Sequence, residues 1–338
     1  MQESIKSKIS GVASFLPDRV VTNYDLEKIM DTTHDWIVQR TGIVERRWVE
    51  GTKVTTSDLA YEASLRALAD AKIDKSAVDM ILLATLSPDH EFPGTACFLQ
   101  AKLGLSEIPA IDIRQQCSGF IYALSIGDLF IKSGRYKNIL VVGSELQSRG
   151  LDKSTEGRDV TVLFGDGAGA VVLSRATEGD HSNILSTHIH ADGQFAKELW
   201  VPAPGLALGD DARITEGHMK EKLHYPRMNG KAVYVHAVKR MIEGLHECCD
   251  HNQLNMNDVD LFLFHQANLR IVEGIVDRLK LPPEKVFNTI ERFANTTAAT
   301  LPIGMDYAIK ENRLKRGMLV ALSTFGSGFT WGSALLRY

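Results

Sequence analysis

Three residues stand where their types and positions could do chemistry: Cys117, His265 and Asn295. Cys117 lies between a short strand-like run at 110–113 and a strongly apolar helical run at 118–133 that stops at Gly134. A helix N-terminus offers free N–H groups and the positive end of the helix dipole. Both favour thiolate over thiol, so the spacing predicts a nucleophile at Cys117. The plainer alternative is a packed, inert thiol. His265 follows the apolar run LFLF and opens HQANLR. It is either a satisfied core histidine or an imidazole aimed into a cleft from a rigid strand end. Asn295, in RFANTTAATLP, precedes small residues that could begin a helix, where asparagine serves as an N-cap. It also falls 178 residues after Cys117.

That interval matters because the elements around these residues repeat. Strand-like runs at 8–15, 79–85, 110–113 and 138–143 alternate with helical patterns at 57–71, with Ser57 as the candidate cap, and at 118–133. Residues 160–174 read as a strand, a glycine-rich turn and a second strand. The alternation predicts an α/β fold with a mostly parallel sheet covered by helices on both sides. VDMILLAT at 78–85 matches VDLFLFHQ at 259–266, and NILVVGS at 138–144 resembles GMLVALS at 317–323, at offsets of 181 and 179. Two matches at nearly one offset indicate an internal duplication. Cys117 and Asn295 then occupy equivalent places in the two halves and face each other across the interface.

The chain has 338 residues, 44% hydrophobic and 24% charged, with a net charge of −4. Its length suits about two domains or one duplicated one, and its apolar content excludes disorder as the main state. There is no basic excess to match a nucleic acid. The four cysteines, Cys97, Cys117, Cys248 and Cys249, form no CxxC or zinc spacing, so neither a disulfide framework nor a metal site is expected. The N-terminal segment lacks a signal-peptide core, and no apolar stretch is long enough to span a membrane. A cytoplasmic protein is expected.

Further motifs could serve a ligand. Trp36 and Arg40, on one predicted helix, offer an aromatic face and a cation suited to an adenine and a phosphate. FGDGAGA at 164–170 lacks the spacing of a dinucleotide fingerprint and reads as a turn rather than a phosphate cradle. The glycine-rich FGSGFTWGSALLRY at 325–338 allows close backbone approach and could present N–H groups to an oxyanion. Residues 202–229, with no apolar period, are either a surface excursion or a cap over a substrate channel.

Taken together, CSGF at 117–120, HQANLR at 265–270, NTTAAT at 295–300, FGDGAGA, DTTHDWIVQRTGI at 31–43 and the C-terminal segment resemble the β-ketoacyl-acyl-carrier-protein synthase III family over nearly the whole chain. The resemblance implies a thiolase fold, a duplicated αβαβα five-layer sandwich, with halves at 1–176, carrying the cysteine, and 177–338, carrying the histidine and asparagine. It implies a homodimeric acyltransferase of fatty-acid synthesis, without metal or resident cofactor. Cys117 takes an acyl group from a short acyl-CoA, and malonyl-acyl-carrier protein then loses carbon dioxide and attacks it. By motif, Cys117, His265 and Asn295 form the catalytic triad, and the backbone N–H groups of Cys117 and Ser327 the oxyanion site. Thr32, Trp36, Arg40, Arg158 and Asn268 contact CoA. Phe92 crosses the dimer to gate the partner's acyl pocket, which favours a short primer, and Arg270 belongs to the patch that meets the carrier protein.

The sequence also departs from the usual pattern. Arg114, Gln115 and Gln116 precede the cysteine, Ala294 and Ser327 stand where glycines are usual, and 202–229 is long. The stretch before the cysteine and SPDH at 87–90 resemble the alkylquinolone-synthase branch, which uses an aromatic thioester. That makes a specialised synthase of secondary metabolism, with an aromatic or longer acyl donor, the alternative. A thiolase lacks support because none of the other cysteines sits in its second-cysteine motif. A non-catalytic partner subunit would have no physical need of all three catalytic side chains.

Overall fold

The computed structural model describes residues 5–51 and 53–338; residues 1–4, at the start of the N-terminal half, lie outside the described residues. Two mixed five-stranded sheets carry the fold. The first holds β1 (Ser7–Phe15), β2 (Met80–Ala84), β3 (Ala110–Ile113), β4 (Asn138–Glu145) and β5 (Gly167–Arg175) in the order β1-β5-β4-β2-β3. The second holds β6 (Asn183–Ala191), β7 (Leu261–Phe264), β8 (Val286–Phe287), β9 (Leu319–Gly326) and β10 (Thr330–Arg337) in the order β6-β10-β9-β7-β8. The two orders are the same, strand for strand, and so are the directions. β2 runs parallel to β3 and β4, as β7 does to β8 and β9, and the remaining pairs are antiparallel. The sheets are therefore mixed rather than mostly parallel. Periodicity gave the strands, but pairing direction depends on connections that periodicity does not report.

Helices α1 (His34–Thr41), α2 (Thr56–Ala71), α3 (Thr95–Leu103), α4 (Gly119–Lys132), α5 (Gly230–His251), α6 (Leu269–Leu279) and α7 (Thr300–Lys310) complete the framework. α2 and α3 cover the outer face of the first sheet through Leu59, Ala63, Leu99 and Leu103. α5 and α6 cover the second through Met241, Leu245, Val272 and Ile275. Between the sheets lie α4 and α7, buried through Phe120, Leu124, Leu301 and Met305. A helix apolar on most faces belongs in such a central layer. The result is five layers, αβαβα. The approach to β4 of the turn Thr297–Ala299, just before α7, requires Gly143, because a Cβ there would lie 2.4 Å from the Ala298 carbonyl oxygen.

Two local expectations change. The N-cap of α2 is Thr55, whose N–H donates to the Asp58 carboxylate at 2.8 Å. Ser57 lies inside the first turn and its N–H donates to Asp89 at 2.9 Å. Residues Arg158–Thr161 form a helical turn, and a single strand, β5, follows the glycines. The β-branched residues Val160, Thr161 and Val162 imitated a strand.

Candidate active site

Each half of the fold delivers one side of the site. β3 ends at Ile113, and a tight turn at Gln116–Ser118 leads into α4. This places Cys117 ahead of the first turn of the central helix, with Gln116 at φ 45° just before it. The Cys117 carbonyl accepts from the Thr324 hydroxyl at 3.0 Å, and the Ser118 hydroxyl donates to the Thr330 carbonyl at 2.9 Å. β9 and β10 thus hold the cysteine turn. Gly326, at the end of β9, packs directly on it: a Cβ there would lie 2.9 Å from the Cys117 Cβ.

His265 follows β7, and its N–H donates to the Ser323 carbonyl at 2.9 Å, extending the ladder by one residue. Its ring is buried. Nδ1 shares a hydrogen with the Thr300 hydroxyl at 2.7 Å, whereas Nε2 is buried with no partner among the described residues. Asn295 precedes the turn into α7. Its Oδ1 accepts from the Thr297 N–H at 2.8 Å, so its amide nitrogen is the group left for the cavity. Its backbone pairs with the segment before β5: the Asn295 N–H donates to Leu163 O at 2.9 Å, and the Gly165 N–H donates to Asn295 O at 3.0 Å. The stretch FGDGAGA is therefore neither a turn between strands nor a phosphate cradle. It clamps Asn295, and Gly165 is needed because a Cβ would lie 2.5 Å from the Phe293 carbonyl oxygen.

Cys117, His265 and Asn295 line one cavity of about 410 Å³. Cys117 also lines a second cavity of about 700 Å³, with Leu86, Arg114, Leu146, Trp200 and Ser327. The thiol thus stands between two chambers, suiting a group handed from one to the other. Its resting ionisation corrects the sequence expectation of a thiolate. Burial, reinforced by the Glu145 carboxyl, pushes the Cys117 thiol up to about 12. Burial lowers His265 to about 3, and burial also raises Glu145, despite donation from Ser87 Oγ at 2.6 Å. Burial thus favours a neutral thiol and a neutral imidazole at rest, because it disfavours charge on either.

The other predicted residues divide. Trp36, Arg40, Asn268 and Arg270 line the 410 Å³ cavity. The Arg40 and Arg158 guanidinium carbons stand 4.5 and 5.3 Å from the Trp36 ring centroid. The Thr32 hydroxyl is buried without a partner among the described residues. Asn268 caps α6, accepting from the Arg270 N–H at 3.0 Å, and donates to the Arg40 carbonyl at 3.0 Å, which ties α6 to α1. Arg270 donates to the Gln39 carbonyl at 2.7 Å. Ser327 lies on the 700 Å³ side, its hydroxyl donating to the Leu199 carbonyl. Phe92 is 78% exposed and lines neither cavity of its own chain.

The end of segment 202–229 lies against the site, while most of 204–221 is exposed. Arg227–Met228 pairs antiparallel with Leu199–Trp200, Lys222 bonds Asp152 at 2.9 Å, and His224 and Pro226 line the larger cavity. The segment thus combines an exposed excursion with an end that lines the larger cavity. Sequence reasoning passed over Thr300, Thr297 and Glu145, whereas Gly326 lies in the glycine-rich segment expected to allow close backbone approach. Thr297 and Thr300 lay within the quoted NTTAAT motif, but nothing in the pattern joined Thr300 to His265, 35 residues earlier.

Comparison with known proteins decides the family. Residues 111–193 match the model described as 3-oxoacyl-[acyl-carrier-protein (ACP)] synthase III, and residues 249–338 match its C-terminal counterpart. A β-ketoacyl-[acyl-carrier-protein] synthase III of Xanthomonas euvesicatoria is 45% identical over 100% of both chains. The chain belongs to the β-ketoacyl-[acyl-carrier-protein] synthase III family. A relative of that name from Methylococcus capsulatus is 43% identical over 98% of this chain and 99% of its own. The synthase III structure from Aquifex aeolicus superposes with a TM-score of 0.89 at 42% identity, covering 98% of this chain and 100% of that one. The five-layer duplication described above is therefore the thiolase fold of the synthase III enzymes, and the chain is an acyltransferase of that class. No described helix is long and apolar enough to cross a membrane.

Proposed function

We propose that this chain joins a CoA-bound acyl primer to malonyl-acyl-carrier protein by decarboxylating Claisen condensation, the step that begins a fatty acid. The observation that carries this reading is the convergence of Cys117, His265 and Asn295 on one cavity. Cys117 Sγ attacks the acyl-CoA carbonyl, helped by its place before the first turn of α4, where the helix dipole favours developing negative charge. Backbone N–H groups of Cys117 and Ser327 receive the oxyanion. The carbon–sulfur bond to CoA breaks, and the thiol proton ends on the CoA sulfur. The malonyl thioester then loses carbon dioxide, and the bonding pair becomes an enolate. Nε2 of His265 and the Asn295 amide nitrogen donate to the enolate oxygen. The carbanion attacks the acyl-cysteine, Sγ leaves, and one solvent proton restores the thiol. The sequence is redox-neutral and needs no resident cofactor.

Trp36 and Arg158 are the pair for the CoA adenine, with Thr32, Arg40 and Asn268 along the rest of the nucleotide and its arm. A base between ring and guanidinium needs two contacts of roughly 3.5–4 Å each. At 5.3 Å the Arg158 guanidinium must swing aside from its bond to the Asp31 carbonyl. Arg270, at the rim, suits an acidic carrier protein by charge. β3 is the open edge of its sheet, with Ile111 40% exposed, and Phe92 projects nearby. These features support a homodimer in which Phe92 reaches the partner's acyl chamber. A cytoplasmic location follows from these CoA and carrier substrates.

The test is intact-protein mass after mixing with acetyl-, branched four- and five-carbon, octanoyl-, malonyl- and anthraniloyl-CoA, with Cys117→Ala as control. A Cys117-dependent adduct from a short donor is expected. A marked preference for the aromatic donor would replace the fatty-acid role with the specialised one, and no adduct from any donor would overturn the reading.

A further inference from the structure

The hydroxyl of Thr300 lies between His265 Nδ1, at 2.7 Å, and the Thr297 carbonyl, at 3.0 Å. A hydroxyl has one hydrogen, so it can donate to only one of them. The choice decides the chemistry of the imidazole. If Thr300 donates to Thr297, Nδ1 carries the ring hydrogen and Nε2 is an acceptor. If Thr300 donates to Nδ1, Nε2 carries the hydrogen and is a donor.

We infer that Thr300 donates to Nδ1 and thereby makes His265 Nε2 a hydrogen-bond donor, which assigns Thr300 as the positioning residue of the condensation half-reaction. Three observations support this. The Thr297 carbonyl already accepts the backbone N–H of Thr300, so it is not orphaned when the hydroxyl turns away. The contact to Nδ1 is the shorter of the two. The ring is fully enclosed and its charged form is disfavoured there, so a single ring hydrogen must be placed.

The consequence falls on the unpartnered Nε2. Asn295 is oriented by the same turn, its Oδ1 held by the Thr297 N–H and its amide nitrogen left free. The segment 297–300 therefore sets both donors: the Thr297 N–H turns the asparagine amide, and the Thr300 hydroxyl fixes the histidine tautomer. Two neutral donors lining one cavity suit a thioester enolate and give a thiol proton nowhere to go. The assignment places His265 in the carbon–carbon bond-forming step rather than in acyl transfer to Cys117. It rests on the condensation reading above, and its test separates the two.

Nitrogen-15 NMR of histidine-labelled enzyme, with the His265 signals assigned by His265→Gln, reads the tautomer directly. The expected result is hydrogen on Nε2 in the wild type. Hydrogen on Nδ1 would overturn the inference and remove His265 from the enolate donors, while the condensation reading itself is judged by acyl-cysteine formation and product. In Thr300→Val, acylation of Cys117 by acyl-CoA is expected to stay within about twofold, and malonyl-thioester decarboxylation to fall by about tenfold or more. Thr300→Ser, which keeps the hydroxyl, should restore it. A folded Thr300→Val that decarboxylates like the wild type would overturn the assignment. Should the valine variant fail to fold, the wild-type tautomer and the serine variant still decide. A wild type that forms no acyl-cysteine would instead refute the proposed function.

Discussion

Gly326 lies so close to Cys117 that a Cβ on the glycine would stand 2.9 Å from the cysteine Cβ and 3.1 Å from its backbone nitrogen. Neither atom is the yielding end of a flexible side chain. The end of β9 and the turn into α4 therefore fix each other, and with them the N–H groups that would receive an oxyanion. Gly326→Ala should displace the thiol by a few tenths of an ångström to an ångström. Acylation by acyl-CoA should fall by about a hundredfold, with little change in far-UV circular dichroism. Stopped-flow mass measurement of the acyl-enzyme checks this, and near-normal acylation would mean that the turn accommodates the methyl group.

Asn295 is expected to act after acylation. Its oxygen is committed to Thr297, so only its nitrogen can meet the enolate. Asn295→Ala should leave the Cys117 acyl adduct forming at close to the wild-type rate. Condensation should drop by about 10²–10³, the usual cost of one lost donor to a developing oxyanion. Carbon dioxide release from the malonyl thioester, measured beside adduct formation, separates the two steps.

How much of this was visible beforehand depends on how local each signal is. The strands around 8–15, 110–113 and 138–143 and the central helix beginning near Cys117 were legible because each buries a run of apolar residues with its own period. The duplication was legible because β2 and β7 sit at the same place in two sheets of one order, so their sequences converge. The direction of the strand pairs was not, nor was the strand-like 160–162, which winds into a helical turn against the rest of the fold. Cys117 was correctly placed at a helix start. Its ionisation was misjudged because the surroundings that raise it, the enclosing walls and Glu145 on β4, come from distant parts of the chain. Thr300 was invisible as a partner of His265 for the same reason.

The buried imidazole should leave a mark on stability against pH. His265 is held at about 3 in the folded chain, below its ordinary value near 6.5. Between those values the unfolded state binds a proton that the folded state refuses. Stability is then fully retained above pH 6.5 and falls as the pH drops below it, with a limiting slope of about 1.4 kcal/mol per pH unit from this group. His265→Gln should flatten the fall in melting temperature between pH 6.5 and 5. Equal slopes in the two proteins would show that the ring is not so strongly desolvated.

Trp36 offers a test confined to the nucleotide end of the substrate. Its ring is covered by the Arg40 and Arg158 guanidinium groups at 4.5 and 5.3 Å, and it lines the cavity whose other end is Cys117. An adenine stacking there would gain about 1–3 kcal/mol from the aromatic face. Trp36→Ala should therefore raise the KM for acyl-CoA by about tenfold and leave kcat nearly unchanged, since the ring is remote from the bonds that change. The same variant should handle an acyl-pantetheine, which has no adenine, as the wild type does. Equal losses with both donors would mean that Trp36 supports α1 and its tie to α6 through Asn268 instead of holding the base.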